Sequence, residues 1–220
     1  MTSGKSIRVL RVALGVAVVA VLSQQGARAQ APQERYPASK DDAEFMQGMI
    51  AHHAQAVVMA KEAPSHGASE ALQVLCARIA ASQHDDIIFM QNWLRDHKFA
   101  VPDTNGRMPA GSMSGMAGMA GMSGSDTGGV MMMPGMLTPA QMKMLDAARG
   151  AEWNRLFMTF MIQHHTGALS MVDTLFASPA GGQDDDIFKF ATAVHADQTA
   201  EIARMEAMLE DRPIQGGPDR

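Results

Sequence analysis

A single cysteine occurs in the 220 residues, and aromatic residues make up only 5% of the chain. With Cys76 alone there is no disulfide framework, so packing has to hold the fold. Its flanks, ALQVLCARIA, read as the inward face of a helix, which suits a small buried apolar residue better than a metal or redox role. Alternating β-branched runs bounded by turn residues are also missing, which excludes a sheet protein. The dipeptide-spaced signature Glu-x-x-His is absent, and with it the donor set of a ferritin-like di-iron site. Positive charge is scarce too: the formal net charge is -5.

The N-terminus accounts for part of the little positive charge there is. Lys5, Arg8 and Arg11 lead into an apolar run from Val12 to Leu22, and Ala27-Arg28-Ala29 is a small-x-small cleavage signature. The run is too short for a bilayer core, which needs about 20 apolar residues. Residues 1–29 are therefore expected to be a signal peptide, giving a periplasmic or secreted chain that begins near Gln30 and has no membrane insertion afterwards. Its removal takes away four basic residues and no acid, moving the charge from -5 to -9. So acidic a chain is repelled by phosphate backbones, and nucleic acid is excluded as a partner.

Helical apolar spacing runs from 41 to Pro64, then from Ser69, a candidate cap, to about His97. Thr138, Pro139 and Gln141 supply a cap, a first-turn proline and a capping-box partner. Gly150 separates a short helix from a longer one over 151–177, and a last helix follows QDDD to about Glu210. The expected architecture is all-α: a four-helix bundle built from two helical hairpins, 41–97 and 138–210. A Met- and Gly-rich flexible linker over 98–137 joins them, and 211–220 is a frayed tail.

The hairpins are related. FMQGMIAHHAQAVVMA (45–60) and FMTFMIQHHTGALSMV (157–172) agree at eight of sixteen positions. At 100° per residue the shared residues fall within one half of the helix circumference, so the repeated face is the inward one. A weaker match joins Gln83, Asp86, Ile87, Met90 and Leu94 to Gln198, Glu201, Ile202, Met205 and Leu209. Two such hairpins, each too small to bury its apolar face alone, are expected to pack with pseudo-twofold symmetry.

Adjacent buried histidines carry four ring nitrogens that need partners, a demand that a metal ion meets. Met49 precedes His52 and His53 by one helical turn, as Met161 precedes His164 and His165. Met at helical spacing is ordinarily core filler, and each inward His is ordinarily hydrogen-bonded; the coincidence of two Met-flanked His pairs favours metal. His84 and His195 do not correspond under the repeat and are equally explained as solvated. His66 lies in a turn and His97 at a helix end.

Nine methionines between 108 and 136 cannot be explained by core packing, because Gly and Ser fill the gaps between them. Met113, Met116, Met119 and Met122, spaced by three in GSMSGMAGMAGMSG, suit capture of a soft ion. Thioether sulfur selects Cu(I), and Ag(I) follows by the same softness; it carries no proton to lose and does not pair into disulfides. The alternatives are a neutral spacer or a Met-rich protein-docking surface.

DDAEFMQGMIAHHAQAVVMA and AEWNRLFMTFMIQHHTGALSMV closely resemble the DUF305 family, with its doubled FM-x-x-MI-x-HH-x-x-A motif, over roughly 41–97 and 138–210. The resemblance implies a ferritin-like four-helix bundle in a secreted or periplasmic protein. Its CopM-like members bind copper, and on that likeness the ligands are Met46, Met49, His52, His53 and Met59, with Met158, Met161, His164, His165 and Met171. The expected function is sequestration or handling of Cu(I) in copper resistance, without catalysis, alongside a periplasmic copper-handling partner. The alternative is a metal-dependent oxidoreductase in the same bundle.

Overall fold

The computed structural model describes residues 37–104 and 133–210. The expected signal peptide, the tail, and Met113, Met116, Met119 and Met122 lie outside the described residues. Among the described residues there are five helices and no strand: α1 (Lys40–Lys61), α2 (Glu70–Asp96), α3 (Pro139–Ala147), α4 (Gly150–Ala177) and α5 (Asp185–Glu210). The fold is all-α, a helical bundle as the patterning requires.

Local chemistry sets the helix ends. Ser39 and Asp42 form a reciprocal capping box for α1, with bonds of 3.0 and 2.9 Å. Thr138 and Gln141 do the same for α3, at 3.2 and 2.9 Å, with Pro139 in the first turn. Asp184 accepts from the backbone of Asp186 and Ile187 and starts α5. Ser69 departs from expectation: it stands at the N-cap of α2 but its side chain makes no capping bond. Its backbone N–H instead donates to Asn154 Oδ1 at 3.3 Å, tying α2 to α4.

α1 packs along α2 and α4 along α5, and the α1–α4 contact joins the hairpins. Two apolar clusters result. One gathers Ala56, Met59, Leu72, Leu75, Cys76, Ile79, Trp153, Phe157, Met158, Met161 and Met205. The other gathers Phe45, Met46, Met49, Ile50, Ile87, Met90, Ala168, Val172, Phe190 and Val194. The N-terminal half of α1 thus shares a cluster with the C-terminal half of α4, and conversely, so the two helices run antiparallel. Their midpoints, His52-His53 and His164-His165, fall where the clusters meet. Cys76 is an inert part of the first cluster, its thiol pushed up to about 12 by burial.

The ends of the linker are anchored, unlike the flexible segment expected over 98–137. Gln47 Nε2 donates to the Ala100 carbonyl at 2.8 Å. At the other end Gln55 clasps Leu137, donating to its carbonyl at 3.1 Å and accepting from its N–H at 2.7 Å. Gln163 donates to the Gly135 carbonyl at 3.3 Å. Gly135 has φ of +76°, and a β-carbon on Gly167 would stand 2.1 Å from the Pro134 oxygen, so residues 133–137 lie directly on the α4 backbone. No periodic side-chain signal announces such backbone-to-backbone docking.

Two polar ties lock the bundle. His66 is buried in the α1–α2 turn, where its Nε2 lies 3.0 Å from the Asp146 carbonyl and its Nδ1 lies 3.0 Å from the Ser65 hydroxyl and 2.9 Å from the Glu62 carbonyl. Asp42, wholly buried, serves its own cap and also accepts from the Gly182 N–H at 2.6 Å. Asp42→Ala removes the cap and orphans the Gly182 donor. It is expected to lower unfolding free energy by about 1–3 kcal/mol in urea titrations; an unchanged midpoint would contradict the role given to this carboxylate.

Candidate metal centre

The repeat puts four histidines at the waist of the bundle, and all four are completely buried. His52 and His164, one from each hairpin, face each other with ring centroids 3.8 Å apart. His164 and His165 are 6.2 Å apart.

Three of these rings are held from outside by oxygen acceptors. His52 Nε2 lies 3.0 Å from the Pro134 carbonyl, His53 Nε2 lies 3.2 Å from Asp86 Oδ2, and His165 Nε2 lies 2.7 Å from Glu201 Oε2. Carbonyl and carboxylate oxygens only accept, so in each of these rings Nε2 carries a proton, and in a neutral ring the lone pair is then on Nδ1. The Nδ1 atoms of His52, His53 and His165 have no hydrogen-bond partner, and neither nitrogen of His164 has one. Asp86 and Glu201 are repeat counterparts, so each half of the molecule supplies its second histidine with a carboxylate from its own second helix. Ring nitrogens bound to oxygen on one side and bare on the other are the usual surroundings of metal-ligating histidine.

Burial keeps His52 and His164 neutral. It lowers His52 from 6.5 to about 3, helped by repulsion from His53 and opposed by the Pro134 carbonyl. It lowers His164 well below 6.5, with repulsion from His52 adding to it. Gln83 and Gln198, also repeat counterparts, are buried one turn before Asp86 and Glu201. Both amide atoms of Gln83 and the Oε1 of Gln198 are unpaired. A cost of about 1–3 kcal/mol attends each buried polar group left without a partner, so this waist is poorly satisfied as pure protein.

The sulfurs stand on both sides of the imidazoles rather than in one group. Met46 and Met49 lie in one apolar cluster; Met59, Met158 and Met161 lie in the other; all five are buried. Met171, the repeat counterpart of Met59, is only half-buried at the bundle edge. His84 and His195 are exposed, unlike the four histidines of the waist. Among the described residues no three His, Cys, Asp or Glu side chains converge on one point. The donors fit a soft ion in kind: neutral imidazole nitrogen and thioether sulfur, with carboxylates engaged as histidine partners.

Sequence reasoning paired Asp86 with Glu201 but missed what they do, and it missed the Pro134 carbonyl altogether. A groove of about 500 Å³ between α2 and α5, lined by Leu75, Arg78, Ser82, Asp197, Glu201 and Arg204, gives solvent a path to the Glu201 side.

A family model described as "Domain of unknown function (DUF305)" matches residues 42–209. The chain belongs to the DUF305 family. Solved DUF305 structures share its backbone. A protein from Streptomyces coelicolor has 25% identity and a TM-score of 0.62, covering 81% of this chain and 98% of its own. A fragment from Deinococcus radiodurans has 23% identity and a TM-score of 0.59, covering 80% and 99%. CopM in its Cu(II)-bound form has 24% identity and a TM-score of 0.54, covering 77% and 96%; CopM was also solved in Cu(I)- and Ag-bound forms. No curated protein matches this DUF305 chain.

The neutral rings predict how stability responds to acid. His52 and His164 hold fewer protons folded than unfolded, so their contribution is complete above pH 6.5 and is lost below it, for His52 down to about pH 3. Metal-free protein is therefore expected to lose stability on going from pH 7 to pH 5, approaching about 1.4 kcal/mol per pH unit for each group. Denaturant titrations at a series of pH values measure this; a flat profile would mean the rings are protonated or solvated.

Proposed function

We propose that this chain binds Cu(I), and Ag(I) by the same chemistry, as a secreted or periplasmic protein that sequesters or hands on copper without turnover. The observation that carries the reading is the set of buried, partnerless Nδ1 lone pairs at the waist, flanked by buried thioethers. In this account His52 and His164 are the first nitrogen ligands, Met49 and Met161 the nearest sulfurs. His53 and His165 stand beside that pair as further nitrogen donors that a shift of the rings would bring in, and Met46, Met59 and Met158 are the further buried sulfurs on either side.

The neutral state of His52 and His164 means that no proton has to leave those rings before an ion enters. Thioethers have no proton at all, so binding is expected to persist in mildly acidic surroundings where thiolate sites weaken. Met113, Met116, Met119 and Met122 supply exchangeable capture sites that load the bundle, and a periplasmic copper-handling protein is the partner that gives or takes the ion. CopM, similar in backbone, was solved with copper and silver. The ligand assignment here rests on this chain's own residues. No helix among the described residues is long and apolar enough to cross a membrane.

Competition of the protein against a Cu(I) chelator under reducing conditions tests this. Tight binding is expected. Combined Asp86→Asn and Glu201→Gln should weaken it by about 10–100-fold, because those carboxylates orient the ring donors. Replacing the four linker methionines by Leu should lower the number of ions taken up and spare the tight sites; a protein-docking role for the linker would instead survive the change. Binding no stronger than that of a Met-poor helical protein would refute the proposal.

A further inference from the structure

Three departures from the internal repeat coincide with one feature of the fold. Where the first hairpin has Gly48, Ala51 and Gln55, the second has Phe160, Gln163 and Gly167. Gly48, Gln55, Gln163 and Gly167 all meet residues 133–137. On α1, Gly48, His52 and Gln55 fall on one stripe at 100° per residue. Met133 sits at Gly48, Pro134 at His52 and Leu137 at Gln55. The strap therefore runs along α1 over the first histidine, fixed at three points.

Glycine inside a helix costs about 1 kcal/mol against alanine, so Gly48 needs a reason. A β-carbon there would stand 3.3 Å from Met133 Sδ and 3.4 Å from Met171 Cε. The Sδ of Met133, from the strap, and the methyl end of Met171, from α4, thus fill the space beside Gly48 that a larger side chain would take. Both methionines are half-buried, and Met171 packs at the edge of the cluster that holds Met46 and Met49. This also explains why Met171 is not buried like its counterpart Met59: its partner is the strap.

We infer that Met133 and Met171 form a separate two-thioether site for a monovalent soft cation, held at the bundle edge by the docked strap. Paired thioethers with no charged group suit Cu(I) or Ag(I) and reject harder ions. The site lies one residue along the strap from the carbonyl that bonds His52, so an ion held there stands close in sequence to the strap's contact with the first buried histidine. This inference rests on the soft-metal reading above and adds residues outside the repeated motif.

Titration of Ag(I) into protein labelled with ¹³C at the methionine methyls tests it, because Ag(I) has no redox chemistry to confuse the signal. The methyl resonances of Met133 and Met171 are expected to move together over the same equivalents. Met133→Leu, a change of similar size at a half-buried position, should abolish the early response of Met171 while His52 and His164 nitrogens still respond. Gly48→Ala should weaken the paired response without removing either sulfur. A Met171 response unchanged by Met133→Leu, or silence of both methyls while the histidines respond, would overturn this site and leave the buried one standing. Silence of every Met and His would overturn both.

Discussion

Four imidazoles buried between two apolar clusters constrain everything else in this bundle. Each ring brings two nitrogens into a region that water does not reach, and the chain supplies partners for three of the eight. It spends a carboxylate on His53, a carboxylate on His165 and a backbone carbonyl on His52, all on the outward nitrogen. The inward nitrogens remain open. A core designed only for stability would carry Leu or Phe at these positions and bury no polar atom, so the waist costs stability that the flanking clusters must offset. The same arrangement holds His52 and His164 neutral and leaves their lone pairs ready for an electrophile.

Symmetry and its violation divide the work. The repeat generates the paired histidines, their carboxylates and the paired glutamines Gln83 and Gln198, two of each from one evolutionary unit. The violations, Gly48 against Phe160 and Gln55 against Gly167, make one face of the waist different from the other by seating the strap there. A duplicated hairpin alone would offer two equivalent approaches to its centre. Docking 133–137 on one of them gives the Met-rich linker a fixed point of arrival.

Much of this was legible in the sequence, for definable reasons. The 3.6-residue period fixed which face of 45–60 and 157–172 turns inward, so the burial of Met46, Met49, His52, His53, Met158, Met161, His164 and His165 followed from spacing alone. Capping chemistry placed the start at Thr138 through purely local bonds, while the equally local box of Ser39 and Asp42 was overlooked in favour of apolar spacing from 41. Ser69 failed as a side-chain cap because a tertiary bond to Asn154 took over the turn. The pairing of His53 with Asp86 and His165 with Glu201 was hidden, since it depends on the axial register between neighbouring helices, which no single helix encodes. Residues 133–137 looked like linker because their anchoring uses backbone carbonyls and glycine close approach, neither of which leaves a periodic trace. Met171 looked equivalent to Met59 for the same reason.

The central claim is that the outward oxygen partners fix the rings of His52, His53 and His165 so that Nδ1 is the free donor. Long-range ¹H–¹⁵N correlation spectra of the metal-free protein at neutral pH read the tautomer of every histidine directly. A neutral ring protonated at Nε2 is predicted for His52, and a proton on Nε2 for His53 and His165, with the Nδ1 resonances of all three perturbed when Ag(I) is added. Rings protonated at Nδ1, or Nδ1 resonances that ignore the ion while it binds elsewhere, would contradict the account.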